Sequence, residues 1–257
     1  LGWGRRDESW AFMDAIGSLG GETWFRLGDR DLATHVERTR RLRAGESLSA
    51  ITADFCRRLG IGPRVLLELR QDKAARRRDA SEAGLFHTAF LLPSRQDLGA
   101  WLLYAANSGL PLEGASDHLV SEAIYLSDPE GNGIEVYSDR PRDTWTIRNG
   151  SIHMTSDGLD LNNLVASAAG PWKAAPAATV VGHVHLQVGA VPEAEAFYSG
   201  TLGFDVTTHY PGAAFYGSGG YHHHLATNVW NSRGAGLRPP RPRIRTRSAG
   251  ASPASGP

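Results

Sequence analysis

Residues 116–137 read SDHLVSEAIYLSDPEGNGIEVY, and this stretch decides the fold. Two apolar runs flank a cluster of turn residues. Ala123 to Leu126 reads as one strand and Gly133 to Tyr137 as the next, joined by Asp128-Pro129-Glu130-Gly131-Asn132-Gly133. Proline presets φ, and glycine and asparagine tolerate positive φ, so the cluster predicts a turn between antiparallel strands. Side chains alternate along a strand, which puts Ile134 and Val136 on one face and Glu135 and Tyr137 on the other. A glutamate inside an apolar strand is costly to bury unless it is paired or binds a metal. Alternation alone favours the plainer reading, an exposed glutamate on the wet face of a half-buried sheet.

The order of residues in this stretch resembles the signature of extradiol ring-cleaving dioxygenases of the vicinal oxygen chelate (glyoxalase/bleomycin-resistance) superfamily. That signature runs His, a short spacer, an apolar residue and Tyr, two residues, an acid and Pro, Gly shortly after, then Glu. His118, Ile124-Tyr125, Asp128-Pro129, Gly131 and Glu135 match it, while Ser116 stands where a Gly, Asn, Thr or aliphatic residue is usual. The resemblance implies that Glu135 is an iron ligand, His118 an acid/base beside the metal, and Tyr125 a hydrogen-bonder to substrate. It is more specific for the superfamily than for ring cleavage within it.

Outward from the motif, residues 84–140 read as one βαβββ unit. Leu85 to Leu92 is an apolar strand containing His87. Asp97 to Asn107, with Leu98, Trp101, Leu102 and Ala105, is a helix that Gly109 ends, and three strands follow. Residues 141–180 are a connector in which His153 reads as structural. A second unit begins at Val181, with the strand Gly182-His183-Val184-His185-Leu186-Gln187-Val188 and a helix from Pro192 to Tyr198. The words VGHVHLQV, AEAFYSGTLGFDV and GGYHHHL resemble vicinal-oxygen-chelate repeats, and residues 66–236 resemble bacterial catechol-2,3-dioxygenase-like proteins. The fold class expected is α+β: tandem βαβββ units, preceded by a mainly helical segment and followed by a disordered tail at 237–257, which is rich in Arg, Pro, Ser and Ala.

Residues 1–65 carry helical spacings: Trp10, Met13 and Ile16; Leu32, Val36 and Thr39; Leu48, Ile51, Phe55 and Leu59. His35 reads as a helix-flank polar residue. The words GWGRRDESW, LGGETWFRLGDRDLATH and RTRRLRAGESL resemble an internal piece of 2-phospho-L-lactate transferase, an enzyme of deazaflavin biosynthesis. Leu66-Leu67-Glu68-Leu69 reads as a strand that, in the dioxygenase-like family, ends a first repeat, and Arg70 to Asp79 as a solvated linker. The domains expected are thus 1–65, 66–140, 141–180, 181–236 and the tail. The start at Leu1 suggests a fragment or a trimmed reading frame, and the resemblance leaves one repeat missing at each end.

Composition narrows the function classes. Lys plus Arg and Asp plus Glu are 27 each, so nothing asks for nucleic acid or a membrane surface. Cys56 is the single cysteine, which excludes an internal disulfide and fits a reducing cytoplasm.

Non-haem Fe(II) oxygenases use two histidines and one carboxylate on one face, with open positions for substrate and O₂. His87 and Glu135 stand on the first and last strands of one unit. Superfamily strands in those places curve side by side, so the resemblance implies that both reach one metal. By residue type alone His87 is equally a hydrogen-bonded core histidine. The third ligand is open: His183 or His185, two residues apart on one face, or more weakly Glu68. His222-His223-His224 reads as a structural or substrate-edge cluster within a strand, with a ligand role as the alternative. The cofactor implied is Fe(II), with Mn(II) or another divalent metal as alternatives, and the substrates a catechol-like aromatic and O₂. Each unit has lost its usual partner, so the two survivors are expected to pair with each other, within one chain or across a homodimer. Three other readings compete: a glyoxalase-type isomerase or thiol transferase marked by Ni or Zn, an inactive fused or small-molecule-binding chain, and a transferase fragment binding deazaflavin or nucleotide.

Overall fold

The computed structural model describes residues 26–27, 56–61, 63–70 and 78–237. The organising hairpin is present with the expected faces. Strand β6 (Ser121–Ser127) runs antiparallel to β7 (Gly133–Asp139), with Tyr125 opposite Glu135. The turn closes through Asp128, whose side chain accepts from the backbone N–H groups of Glu130 and Asn132. Ile134 and Val136 enter the main apolar cluster, and Tyr137 packs with Ala89 and Ala123 on the other face.

The first unit is complete. Strand β4 (Gly84–Leu92) leads to α1 (Arg95–Asn107), then β5 (Gly114–Asp117), β6 and β7. Ser94 caps α1 by accepting from the N–H of Asp97. Leu98, Trp101, Leu102 and Ala105 bury one helix face against Phe90, Leu92, Ile124 and Val136. Strands β4 and β7 are parallel neighbours, with Ala89 beside Glu135. The second unit repeats the order: β11 (Val180–Gln187), α3 (Val191–Glu195), β12 (Asp205–Tyr210), β13 (Ala213–Gly217) and β14 (Leu225–Asn228). Here Pro192 stands in the first turn of α3, and a π-helical stretch, Ala196–Thr201, continues it.

The two units join within one chain. Strand β11 pairs antiparallel with β4, setting His185 opposite His87 and His183 opposite Ala89. One nine-stranded sheet results, in the order β10 (Asp157–Gly158)-β5-β6-β7-β4-β11-β14-β13-β12. The joint depends on Gly182: a Cβ there would lie 1.9 Å from the Tyr137 hydroxyl oxygen. Pairing across β4 and β11 gives each unit the edge cover that a separated unit lacks.

The connector is more structured than expected. It holds β8 (Ile147–Arg148), β9 (Ser151–Ile152), β10 (Asp157–Gly158) and α2 (Leu161–Ala166). Strand β10 extends the sheet beyond β5, and Leu164 of α2 is buried against the α1 core.

Two readings need correction. The Phe55–Leu59 helical spacing does not make a helix, because Cys56–Ile61 forms strand β2, paired with β1 (Arg26–Leu27) and with β3 (Arg64–Arg70). Two apolar residues four apart are a weak signal, and a neighbouring strand outweighs it. The strand expected at Leu66–Leu69 is β3, whose Leu66 and Leu67 pack against the main core. Second, His222-His223-His224 is a loop ahead of β14, so its side chains do not alternate as in a strand. The remaining helical expectations for 1–65, with His35, and those for most of 70–79 and for the tail, lie outside the described residues, as does the Glu68 side chain.

Candidate metal centre

Three strands set the centre. Across β11, β4, β7 and β6 the register aligns His183, Ala89, Glu135 and Tyr125 in one row. Ala89 is fully buried, and its short side chain leaves space above it into which the longer neighbours converge. His87 lies two residues before Ala89, on the same face.

The convergence is tight. Glu135 Oε2 is 3.0 Å from His87 Nε2 and 3.2 Å from His183 Nε2, and the two ring nitrogens are 3.3 Å apart. All three residues are buried. Burial alone would raise the Glu135 carboxyl, but the His183 and His87 rings beside it outweigh burial and hold it well below the usual range. Burial lowers His183, although the Glu135 carboxylate opposes that shift. The Nδ1 of His183 has no hydrogen-bond partner among the described residues, so its ring is polar-bonded through Nε2 alone.

This donor set fits a divalent metal. Ligand atoms about 2.1 Å from one ion and at right angles to each other lie about 3.0 Å apart, close to the 3.0, 3.2 and 3.3 Å edges found here. Two imidazole nitrogens and one carboxylate on one side of an ion leave the other side open.

His185 shares the face but not the cluster. Its Nε2 accepts a hydrogen bond of 3.0 Å from Asn228 Nδ2, and its ring stands edge-on to His87. Burial keeps it well below the ordinary imidazole value, so it is held neutral.

His118 and Tyr125 are in direct contact beside the centre. His118 Nδ1 is 2.6 Å from the Thr155 carbonyl oxygen and must donate to it, so Nε2 accepts from the Tyr125 hydroxyl at 2.7 Å. Burial, and then the neighbouring Glu135 carboxylate, push the Tyr125 phenol well above its usual value. Tyr125 therefore keeps its proton at neutral pH. The turn that carries His118 places Leu119 at φ 66, a left-handed conformation rare for leucine. Asp117 holds this turn by accepting from the Leu119 N–H and pairing with Arg140 at 2.6 Å.

Sequence reasoning missed Thr155, and it set the triple histidine within a strand. Thr155 comes from the connector, which carries no motif. His222 and His223 form a buried pair behind His183: His222 Nε2 is 2.9 Å from Asp139 Oδ1, the two Nδ1 atoms are 2.7 Å apart, and the His223 ring lies 4.1 Å from that of His183. The triple histidine was visible, but its loop geometry was not. A cavity of about 270 Å³ opens beside the centre, lined in part by His87, His118, Tyr125, Glu135, His183 and His223.

Comparison with known proteins bears on this arrangement. Residues 180–239 match the family model described as the glyoxalase/bleomycin resistance protein/dioxygenase superfamily. The chain is 46% identical over 186 residues to a catechol-2,3-dioxygenase of Bacillus subtilis (strain 168), covering 70% of this chain and 64% of that protein. A separate match of 66 residues, 52% identical, is to the phosphoenolpyruvate transferase of Mycobacterium tuberculosis (strain ATCC 25618 / H37Rv), covering 25% of this chain and 20% of that one. A solved structure from Bacillus subtilis subsp. subtilis str. 168 aligns with TM-score 0.44 and 11% identity, covering 69% of this chain and 52% of the other. The chain thus spans less than two thirds of these relatives. The resemblance to the vicinal oxygen chelate superfamily is found by direct comparison, and the partial one to a transferase is found with phosphoenolpyruvate transferase.

Proposed function

We propose that this chain is a metal-dependent extradiol dioxygenase that opens catechol-like rings with O₂. The carrying observation is that His87, His183 and Glu135 converge on one point, with His118 and Tyr125 lining the same cavity. Fe(II) is the metal proposed, with Mn(II) as the nearest alternative, and the three converging side chains would hold it. When bound, the metal would supply Lewis-acid binding of the catechol and of O₂.

The chain's own residues do the rest. Tyr125, kept protonated and donating to His118, presents its oxygen as the acceptor for a hydrogen bond from a substrate hydroxyl. His118 Nε2 is the free basic position of its ring, because Nδ1 is committed to Thr155. A catechol hydroxyl can pass its proton to the Tyr125 oxygen while Tyr125 passes its own to His118, across the 2.7 Å contact. Imidazole is the side chain suited to return that proton near neutral pH. Phe86, Val120, Phe215 and Trp230 supply apolar lining that favours a planar ring and limits water. Both atoms of O₂ enter the ring-opened semialdehyde acid, so no external reductant is required.

The test is O₂ consumption by the full chain loaded anaerobically with Fe(II), given catechol and then air. Uptake of O₂ in equal amount to a yellow ring-opened product supports the proposal. Bound Ni or Zn, activity on a thiol adduct and no O₂ uptake would instead establish a glyoxalase-type isomerase.

A further inference from the structure

The lining of the cavity bears on which catechols fit, an inference that rests on the dioxygenase reading above. Phe86, Phe215 and Trp230 gather round the His185 ring, with centroids 5.1, 5.9 and 5.5 Å from it. Val120 and Met154 add aliphatic surface. Among the described residues no Lys or Arg lines the cavity. The nearby arginines are committed elsewhere: Arg140 to Asp117 and Glu122, Arg142 over the Trp145 and Tyr221 rings. The acid in the lining is Glu135, one of the three side chains that converge to hold a metal.

We infer that this site takes single-ring catechols whose other substituents are uncharged and apolar, and discriminates against ring carboxylates. The cavity of about 270 Å³ is at the small end for ligand pockets, which suits one ring with a small substituent. A methyl group placed against aromatic and aliphatic side chains leaves water favourably. A carboxylate in the same position loses its hydration and finds no Lys or Arg among the lining residues to pair with.

The test compares binding of 4-methylcatechol and 3,4-dihydroxybenzoate to the full chain loaded with Fe(II) under argon, read by calorimetry and by quenching of tryptophan fluorescence. Binding of the methyl compound about tenfold tighter or more is expected. Met154 is half-buried, so Met154→Lys can place an ammonium at the cavity wall while its stem covers the surface. That variant should improve binding of the acid by about tenfold relative to the methyl compound. Equal or tighter binding of the acid by the unaltered chain would overturn the inference and leave the dioxygenase reading standing, whereas metal uptake with no binding of either compound would overturn both. Failure to take up metal at all would overturn the dioxygenase reading, and this inference with it.

Discussion

His183 Nε2 lies 3.2 Å from Glu135 Oε2, although the two residues belong to different βαβββ units, whose strands pair across β4 and β11. The centre is therefore a product of the joint, and whatever moves the joint should move the centre.

Gly182→Ala tests this without touching a ligand. Its new Cβ would fall 1.9 Å from the Tyr137 hydroxyl oxygen, so strand β11 or the Tyr137 ring, which lies 4.9 Å from the His183 ring, must shift. Overpacking of this kind costs about 1–3 kcal/mol. Denaturant unfolding should show that loss, and metal affinity should fall by tenfold or more in the same variant, about 1.4 kcal/mol. Unchanged metal affinity would separate the centre from the joint.

Metal should stabilise the whole domain. At a free metal concentration about 100 times its Kd, binding adds about 2.7 kcal/mol to the folded state. Treatment with a chelator is then expected to lower Tm by roughly 5–10 °C for a domain of this size. Scanning fluorimetry before and after chelation, with metal restored as control, measures it.

Acid should weaken the metal-free chain below about pH 6.5. Burial holds His185 and His223 well below the ordinary imidazole value, so both stay neutral when folded and gain protons when unfolded. The unfolded state then binds more protons as pH falls, and stability, fully present above the unfolded pKa of about 6.5, is lost as pH drops toward the folded values. Each such histidine costs up to about 1.4 kcal/mol per pH unit in that window. Unfolding free energies at pH 7.5 and 5.5 should differ in this sense, and His223→Gln should flatten the slope.

His118→Asn is expected to keep metal and to lower turnover by about 10²–10⁴-fold, the usual range for loss of a general acid/base. Tyr125→Phe should also keep metal, with a smaller loss of turnover. Metal content by elemental analysis beside O₂-uptake rates distinguishes these from ligand variants.

Much of this was legible in the sequence because the signals are local. The turn residues of Asp128–Gly133 and the period-two pattern gave the β6–β7 hairpin and the face that Glu135 shares with Tyr137. The His118–Tyr125 contact spans only 7 residues. The choice between His183 and His185 was not legible, because both stand on one face of one strand. The β4–β11 register and the hydrogen bond from Asn228 to His185 bring His183, and not His185, against His87 and Glu135, and both are long-range. The connector was read as passive for the same reason: Thr155 meets His118 across 37 residues, with no motif to announce it. Cys56–Ile61 was misread because two apolar residues four apart fit a helix, while the pairing with β3 that fixes the strand depends on partners the spacing does not contain.

The most direct measurement is anaerobic titration of Fe(II) into the full chain and into His87→Ala, Glu135→Ala, His183→Ala and His185→Ala. The account expects one metal per chain in the unaltered protein and in His185→Ala, and loss of about 100-fold or more in affinity in the other three, more than the 10–100-fold typical of residues that only orient a ligand. Full metal binding by His183→Ala, or its loss in His185→Ala alone, would contradict a centre built from His87, Glu135 and His183 across the joint of the two units.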